Sequence, residues 1–208
     1  PRKLDQMRKT VFLTGATGNM GWAGFQELYK KGKFNIRLLA RDSRKNHKML
    51  DRYASDPSVT VIWGDLTRYE DVLEGVKGSD YVLHVGGMVS PAADYYPEKT
   101  LKVNVTAAEN IVKAVLAQPD KDDMRVVYIG SVAQYGDRNY PRHWGDVNEP
   151  QTPAKYDMYA LSKIRSEEVF AKAGFRRWVS LSLLIISAGK SFSLISNPKC
   201  SAAFSIIA

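Results

Sequence analysis

The chain has 208 residues, 44% hydrophobic and 25% charged, enough for one α/β domain with a full core and unremarkable for a globular protein. Its net charge of +8 is spread over scattered sites (Arg2, Lys3, Arg8, Lys9, then 30–33, 41–48, 121–125 and 172–177) with no aromatic-interleaved basic stripe, which argues against a nucleic-acid partner. A lone cysteine, Cys200, forbids an intramolecular disulfide and fits a reducing, cytoplasmic location; His47, His84 and His143 lie far apart with no metal-ligand spacing, and the apolar stretch 178–188 is too short to cross a bilayer.

In chain order, residues 1–8 read as a polar, basic tail without signal-peptide character, with Met7 a natural start. Val11–Thr14 is the first strand, and Trp22–Lys31 a helix stopped near Gly32. Ile36–Ala40 is the second strand, followed by a basic segment, 41–48. Val59–Ile62 is the third strand, Glu70–Val76 a short helix, and Tyr81–Val85 the fourth strand, closed by Gly86-Gly87. Leu101–Ala117 is a long helix with apolar positions 101, 105, 108, 111, 112 and 115. Arg125–Ile129, the helix Met158–Ala173 and Trp178–Ile186 complete the set. Short, continuously apolar strands alternating with helices predict an α/β fold: a Rossmann-type, doubly wound parallel sheet with helices on both faces and ligands beyond the carboxyl ends of its strands.

The first such end carries Thr14-Gly15-Ala16-Thr17-Gly18-Asn19-Met20-Gly21. A chain leaving a buried strand here must turn sharply, bring bare N–H groups to a pyrophosphate and let the next helix pack closely, and side chains obstruct all three tasks. The helix N-terminus adds orphan donors and a positive dipole end. A dinucleotide is therefore the first ligand to consider, with a merely flexible strand–helix turn as the alternative.

Cofactor choice turns on the end of the second strand, where an acidic residue suits the ribose 2′-OH of NAD and an arginine the 2′-phosphate of NADP. The chain reads Ala40-Arg41-Asp42-Ser43-Arg44-Lys45. Arg41 and Arg44 favour NADP(H), since a guanidinium matches a phosphate bidentately; Asp42 keeps NAD(H) open.

Tyr159-Ala160-Leu161-Ser162-Lys163 places a phenol and an ammonium on one helical face. The ammonium is expected to favour the phenolate and depress the Tyr159 pKa, so that the pair can exchange a proton with a substrate oxygen while hydride moves to or from a nicotinamide. Tyr156 is a nearby decoy with Ala160 at its i+4 position. Ser131, after the fifth strand, has a hydroxyl that could hydrogen-bond the reacting oxygen; a strand-end serine making a turn is the plainer alternative.

The glycine motif, Asp65 after the third strand, the Ser131–Gly136 segment and Tyr159-x-x-x-Lys163 occur in the order and at the separations of the extended short-chain dehydrogenase/reductase family, also called the NAD-dependent epimerase/dehydratase family, which residues 9–180 resemble. The resemblance implies that Gly15, Gly18 and Gly21, with Thr14, Thr17, Asn19 and Met20 of the same turn, carry the pyrophosphate. It implies that Asp65 and Leu66 border the adenine and that Val85, Gly86 and Gly87 line the cofactor cleft. Asn104 matches the helix asparagine that supports the active site. The resemblance further implies that Ser131, Tyr159 and Lys163 form the catalytic set, with Lys163 also binding the nicotinamide ribose. Asp65 as a helix cap and Asn104 as an ordinary helical polar residue remain the alternatives.

The expected function is an NAD(P)-dependent oxidoreductase acting on a small carbonyl or alcohol, with a nucleotide-sugar epimerase/dehydratase using the same residues as the alternative and a non-catalytic NADP(H)-binding protein as a further one. No membrane or nucleic-acid partner is expected. The family's pattern runs on into a smaller substrate-binding domain. Here residues 9–186 read as the dinucleotide-binding domain and 187–208 as an atypical Ser- and Ile-rich tail, expected to be a truncated or frame-shifted remnant; a short member that closes its cleft as a homodimer is the alternative.

Overall fold

The computed structural model describes residues 8–136, 148–184 and 193–195. The expectations about residues 1–7, His143, Cys200 and most of the 187–208 tail lie outside the described residues.

The chain alternates strand and helix as its apolar runs predict. Strands β1 (Lys9–Thr14), β2 (Phe34–Ala40), β3 (Val59–Trp63), β4 (Tyr81–His84), β5 (Arg125–Ser131) and β6 (Trp178–Leu184) form one parallel sheet, and β7 (Ser193–Ile195) joins β6 antiparallel. The order is β3-β2-β1-β4-β5-β6-β7. The chain steps outward from β1 to β3, then crosses back to β4 on the other side of β1. The β1/β4 boundary is therefore a switch point, and the crevice beyond it is where such sheets take ligands. β7 is not predicted from sequence; it falls within the tail and shares the sheet edge with β6.

The helices are α1 (Asn19–Lys31), α2 (Arg44–Leu50), α3 (Tyr69–Val76), α4 (Ala92–Tyr95), α5 (Pro97–Leu116) and α6 (Met158–Lys172). Successive side chains of a strand point to opposite faces. On β1, Val11 and Leu13 pack with Phe25 and Leu28 of α1 and Leu50 of α2. Phe12 points the other way and packs with Val72 and Val76 of α3, Ile111 and Val115 of α5 and Phe170 of α6. Each of these buried side chains contributes about 1.5–3 kcal/mol by leaving water. Tyr128 of β5 stacks on Phe170 at 5.0 Å, and His84 of β4 lies 6.0 Å from the Tyr128 ring. This aromatic stack seats α6 on the sheet.

Two local differences from the sequence expectation have physical causes. Most of α2 lies in the basic segment 41–48, because Ser43 accepts the Asn46 N–H at 3.2 Å and so caps a first turn that the lysines and arginines masked. α5 starts at Pro97, a residue suited to a first turn, and near its start turns polar Thr100 and Asn104 inward rather than Leu101 and Val105. Hydrogen bonds, described below, fix that rotation. Among the described residues no helix is long and apolar enough to cross a membrane, and no His/Cys/Asp/Glu group could hold a metal.

Candidate functional site

The glycine turn sits at the carboxyl end of β1. Gly15 has φ +76°, and a Cβ there would lie 2.7 Å from the Gly86 backbone, so two loops meet main chain to main chain. A Cβ on Gly21 would lie 2.0 Å from the Gly15 carbonyl oxygen, so only glycine lets the first turn of α1 close on the loop. Gly18 donates its N–H to Gly15 O at 3.0 Å and occupies the N-cap position without a capping side chain. The opening amides of α1, at Asn19, Met20 and Gly21, are thus left as donors at a positive helix end. A cradle that any Cβ would fill, ending in uncapped amides, fits a pyrophosphate.

Thr14 holds the opposite wall. Its hydroxyl accepts the Gly86 N–H at 3.0 Å and lies 2.9 Å from His84 Nδ1. A threonine hydroxyl can accept twice and donate once, so it meets either tautomer of His84 without losing the Gly86 bond. Burial, with the Lys163 ammonium adding to it, pushes the His84 pKa down to about 3, so the ring is neutral across the physiological range. Leu66 packs its side chain against the face of Gly86, and Gly87 faces the Asn104 amide. Val85 is half-buried and packs against the cluster that holds Val11 and Leu13.

Asn104 is more than an ordinary helical polar residue. Its Oδ1 accepts the Met88 N–H at 2.7 Å, and its Nδ2 donates to Met88 O at 3.0 Å and to Ser162 Oγ at 2.9 Å. It ties the loop after β4 to α6. It does so through Ser162, which donates to Tyr159 O at 2.7 Å.

Asp157 caps α6 by accepting the Ala160 N–H at 2.8 Å, and the helix projects Tyr159 and Lys163 towards the end of β5. Lys163 is buried; its Nζ donates to Ile129 O at 2.8 Å and lies 5.8 Å from the Tyr159 ring centre and 5.3 Å from the Tyr128 ring centre. Burial pushes the Lys163 pKa down to about 8. Ser131 ends β5 and accepts the Ala133 N–H at 3.2 Å, so it does make a turn; its side chain is also hydrogen-bonded with the Tyr159 phenol.

The expectation that Lys163 depresses the Tyr159 pKa is corrected. Burial pushes that phenol above its ordinary value, the downward pull is the hydrogen bond with Ser131, and Asp157 adds to the rise. The lysine is itself partly stripped of water and spends its ammonium on a carbonyl.

At the adenine end, Arg41 directly follows β2 and Arg44 opens α2, both exposed. Asp65 Oδ1 accepts from Thr67 N at 2.8 Å and Thr67 Oγ1 at 2.7 Å. Burial pushes its pKa up, but these hydrogen bonds together with the Arg41 and Arg68 charges outweigh that and hold it below the usual carboxylate value.

The model of the NAD dependent epimerase/dehydratase family matches residues 11–181. The chain belongs to this family. Among its relatives, UDP-glucose 4-epimerase from Rickettsia conorii is 33% identical over 114 residues, which are 52% of this chain and 33% of that protein. The Rickettsia akari protein of the same name gives the same figures. The chain therefore spans about a third of the length of these relatives. UDP-N-acetylglucosamine 4-epimerase from Methanobrevibacter ruminantium M1, solved with UDP-N-acetylmuramic acid, superposes with a TM-score of 0.70 at 21% identity, over 86% of this chain and 56% of that one. The enzyme WbmH of Bordetella bronchiseptica, solved with NAD+, gives 0.67 at 22% identity over 84% and 56%. These likenesses carry the fold.

This family member also contains supporting residues that motif reading passes over. Gln134 Oε1 accepts the Ser131 N–H at 2.7 Å, and its Nε2 donates to Glu167 of α6, which also accepts from Gln151 Nε2 at 2.9 Å. Ser131-Val132-Ala133-Gln134 is a capping-box sequence, so that signal was present. The His84 and Glu167 roles depend on residues 70 and 33 positions away and leave no local trace.

Proposed function

We propose that this chain binds a nicotinamide dinucleotide, NADP(H) in preference to NAD(H), and transfers hydride at a hydroxyl-bearing or carbonyl carbon, with Tyr159 as acid/base. The observation that carries the proposal is the Gly15/Gly18/Gly21 cradle with its uncapped α1 amides, set in the same row of strand ends as Ser131 and the Tyr159/Lys163 face of α6. Thr14, Gly15, Thr17, Gly18 and the amides of Asn19, Met20 and Gly21 would hold the pyrophosphate, Asp65 and Leu66 the adenine side, and Val85, Gly86 and Gly87 the cleft wall. When bound, the nicotinamide supplies or accepts hydride.

The chain's own residues supply the rest. A phenol raised by burial is protonated at neutral pH and suits proton donation to an oxygen that gains charge. Ser131, hydrogen-bonded with the Tyr159 phenol, would help to orient that oxygen. Lys163 holds the end of β5 through Ile129 O and would meet the nicotinamide ribose. Arg41 and Arg44 support the NADP(H) preference.

Calorimetric titration with NADPH and NADH tests the cofactor assignment: tighter NADPH binding is expected, and binding of neither would end it. Tyr159→Phe should lower NADPH-dependent carbonyl reduction by about 10²–10⁴-fold while cofactor affinity holds; unchanged output would favour a non-catalytic binding protein. A second reading, nucleotide-sugar epimerisation or dehydration, is favoured by the UDP-glucose 4-epimerases among the relatives. It predicts conversion of UDP-glucose to its 4-epimer with no net change in cofactor oxidation state.

A further inference from the structure

The cofactor preference proposed above rests on Arg41 and Arg44, yet Asp42 stands between them, and a free carboxylate there would repel a 2′-phosphate. The structure accounts for that carboxylate. His47, one turn into α2, has Nε2 2.9 Å from Asp42 Oδ1 and Nδ1 3.0 Å from Asp51 Oδ1. A neutral imidazole has one N–H, so one of these contacts would set a lone pair against a carboxylate. Both are satisfied only by the imidazolium. The two carboxylates correspondingly raise the His47 pKa above its ordinary value.

The ring cannot easily turn away. It stacks on the Trp63 indole, with centres 3.8 Å apart and planes 24° from parallel. Trp63 ends β3, the strand beside β2. The loop carrying Asp42 is pinned on both sides: Asn46 Nδ2 donates to Arg41 O at 2.7 Å and Ser43 caps α2. Asp42 is thus paired with a ring that two neighbouring elements hold in place, while Arg41 and Arg44 remain exposed.

We propose that His47 is a specificity-determining residue: by engaging the Asp42 carboxylate it keeps that charge from offsetting the Arg41 and Arg44 guanidiniums at the end of β2, and so tips this edge towards an adenosine bearing a 2′-phosphate. The inference rests on the NADP(H) reading. A helix staple that merely anchors α2 is the competing role, and it would not alter the ratio of two cofactor affinities.

The test uses the full chain and calorimetric dissociation constants for NADPH and NADH. His47→Phe keeps a ring to stack on Trp63 and removes both N–H donors. It should lower the NADPH-over-NADH preference roughly tenfold, chiefly by weakening NADPH. Asp42→Asn should leave NADPH binding within about twofold, and in that background His47→Phe should lose most of its effect on the ratio. Should His47→Phe fail to fold, His47→Leu, which likewise has no donor for Asp42, gives the same reading. A preference unchanged by His47→Phe, or changed equally in the presence and absence of the Asp42 carboxylate, overturns the inference while leaving the cofactor assignment standing. Wild-type protein that binds neither cofactor, or binds NADH more tightly, overturns the underlying reading instead, and this inference with it.

Discussion

Lys163 offers the sharpest test of the site's electrostatics. Its folded pKa is about 8 against an ordinary 10.5, because burial penalises the ammonium. Below pH 8 the group is charged in both folded and unfolded chains and the full burial penalty is present. Between the two values the folded protein has released the proton and the unfolded chain has not, so stability rises with pH. At about 1.4 kcal/mol per pH unit, raising the pH from 8 to about 9.5 should stabilise the fold by ~2 kcal/mol, or about 4–8 °C in Tm for a chain of this size. Lys163→Met removes the titrating group and should flatten this rise. Other titrating groups are common to both proteins, and their contribution cancels in the comparison. Urea denaturation of both proteins at the two pH values measures the difference directly. Equal slopes would mean that Lys163 is not desolvated as its buried position implies.

Other substitutions test the scaffold. Gly21→Ala places a Cβ 2.0 Å from Gly15 O and should cost about 1–3 kcal/mol and weaken cofactor binding, whereas Gly24→Ala on the same helix meets nothing within 4 Å and should stabilise by about 0.5–1 kcal/mol; equal Tm shifts would refute the close-approach reasoning. Asn104→Ala strands the Met88 backbone and Ser162 and should cost about 1–3 kcal/mol for each buried group left unpaired, with a denaturation midpoint unchanged from wild type as the contrary result. The His84 ring should stay neutral by NMR from pH 7 to about 4, since its folded pKa is about 3. Its folded pKa lies below the unfolded one, so its contribution is full above the unfolded pKa and is lost as the pH falls towards 3. A ring that protonates near pH 6 would contradict its burial.

Elements with a strong period or a glycine requirement were legible in the sequence. The parallel strands announced themselves as apolar runs, and Gly15 and Gly21 as positions where backbone meets backbone. Tyr159 and Lys163 were legible as a pair because the helix repeat sets their spacing. The Tyr159 pKa was not, because burial depends on what the fold stacks above the ring rather than on its i+4 neighbour. α2 was hidden by its charge, although Ser43 carried the cap. The Thr14–His84 link was out of reach because it joins strands whose adjacency only the sheet order reveals.

The Gln134–Glu167 contact has a mechanical consequence. Ser131 takes its place from Gln134, and Gln134 is held by Glu167 on the helix that carries Tyr159. Hydroxyl and phenol are therefore mounted on one frame. A small slide of α6 over the sheet drags the β5 terminus along, and the spacing between the two oxygens is insulated from breathing elsewhere in the domain.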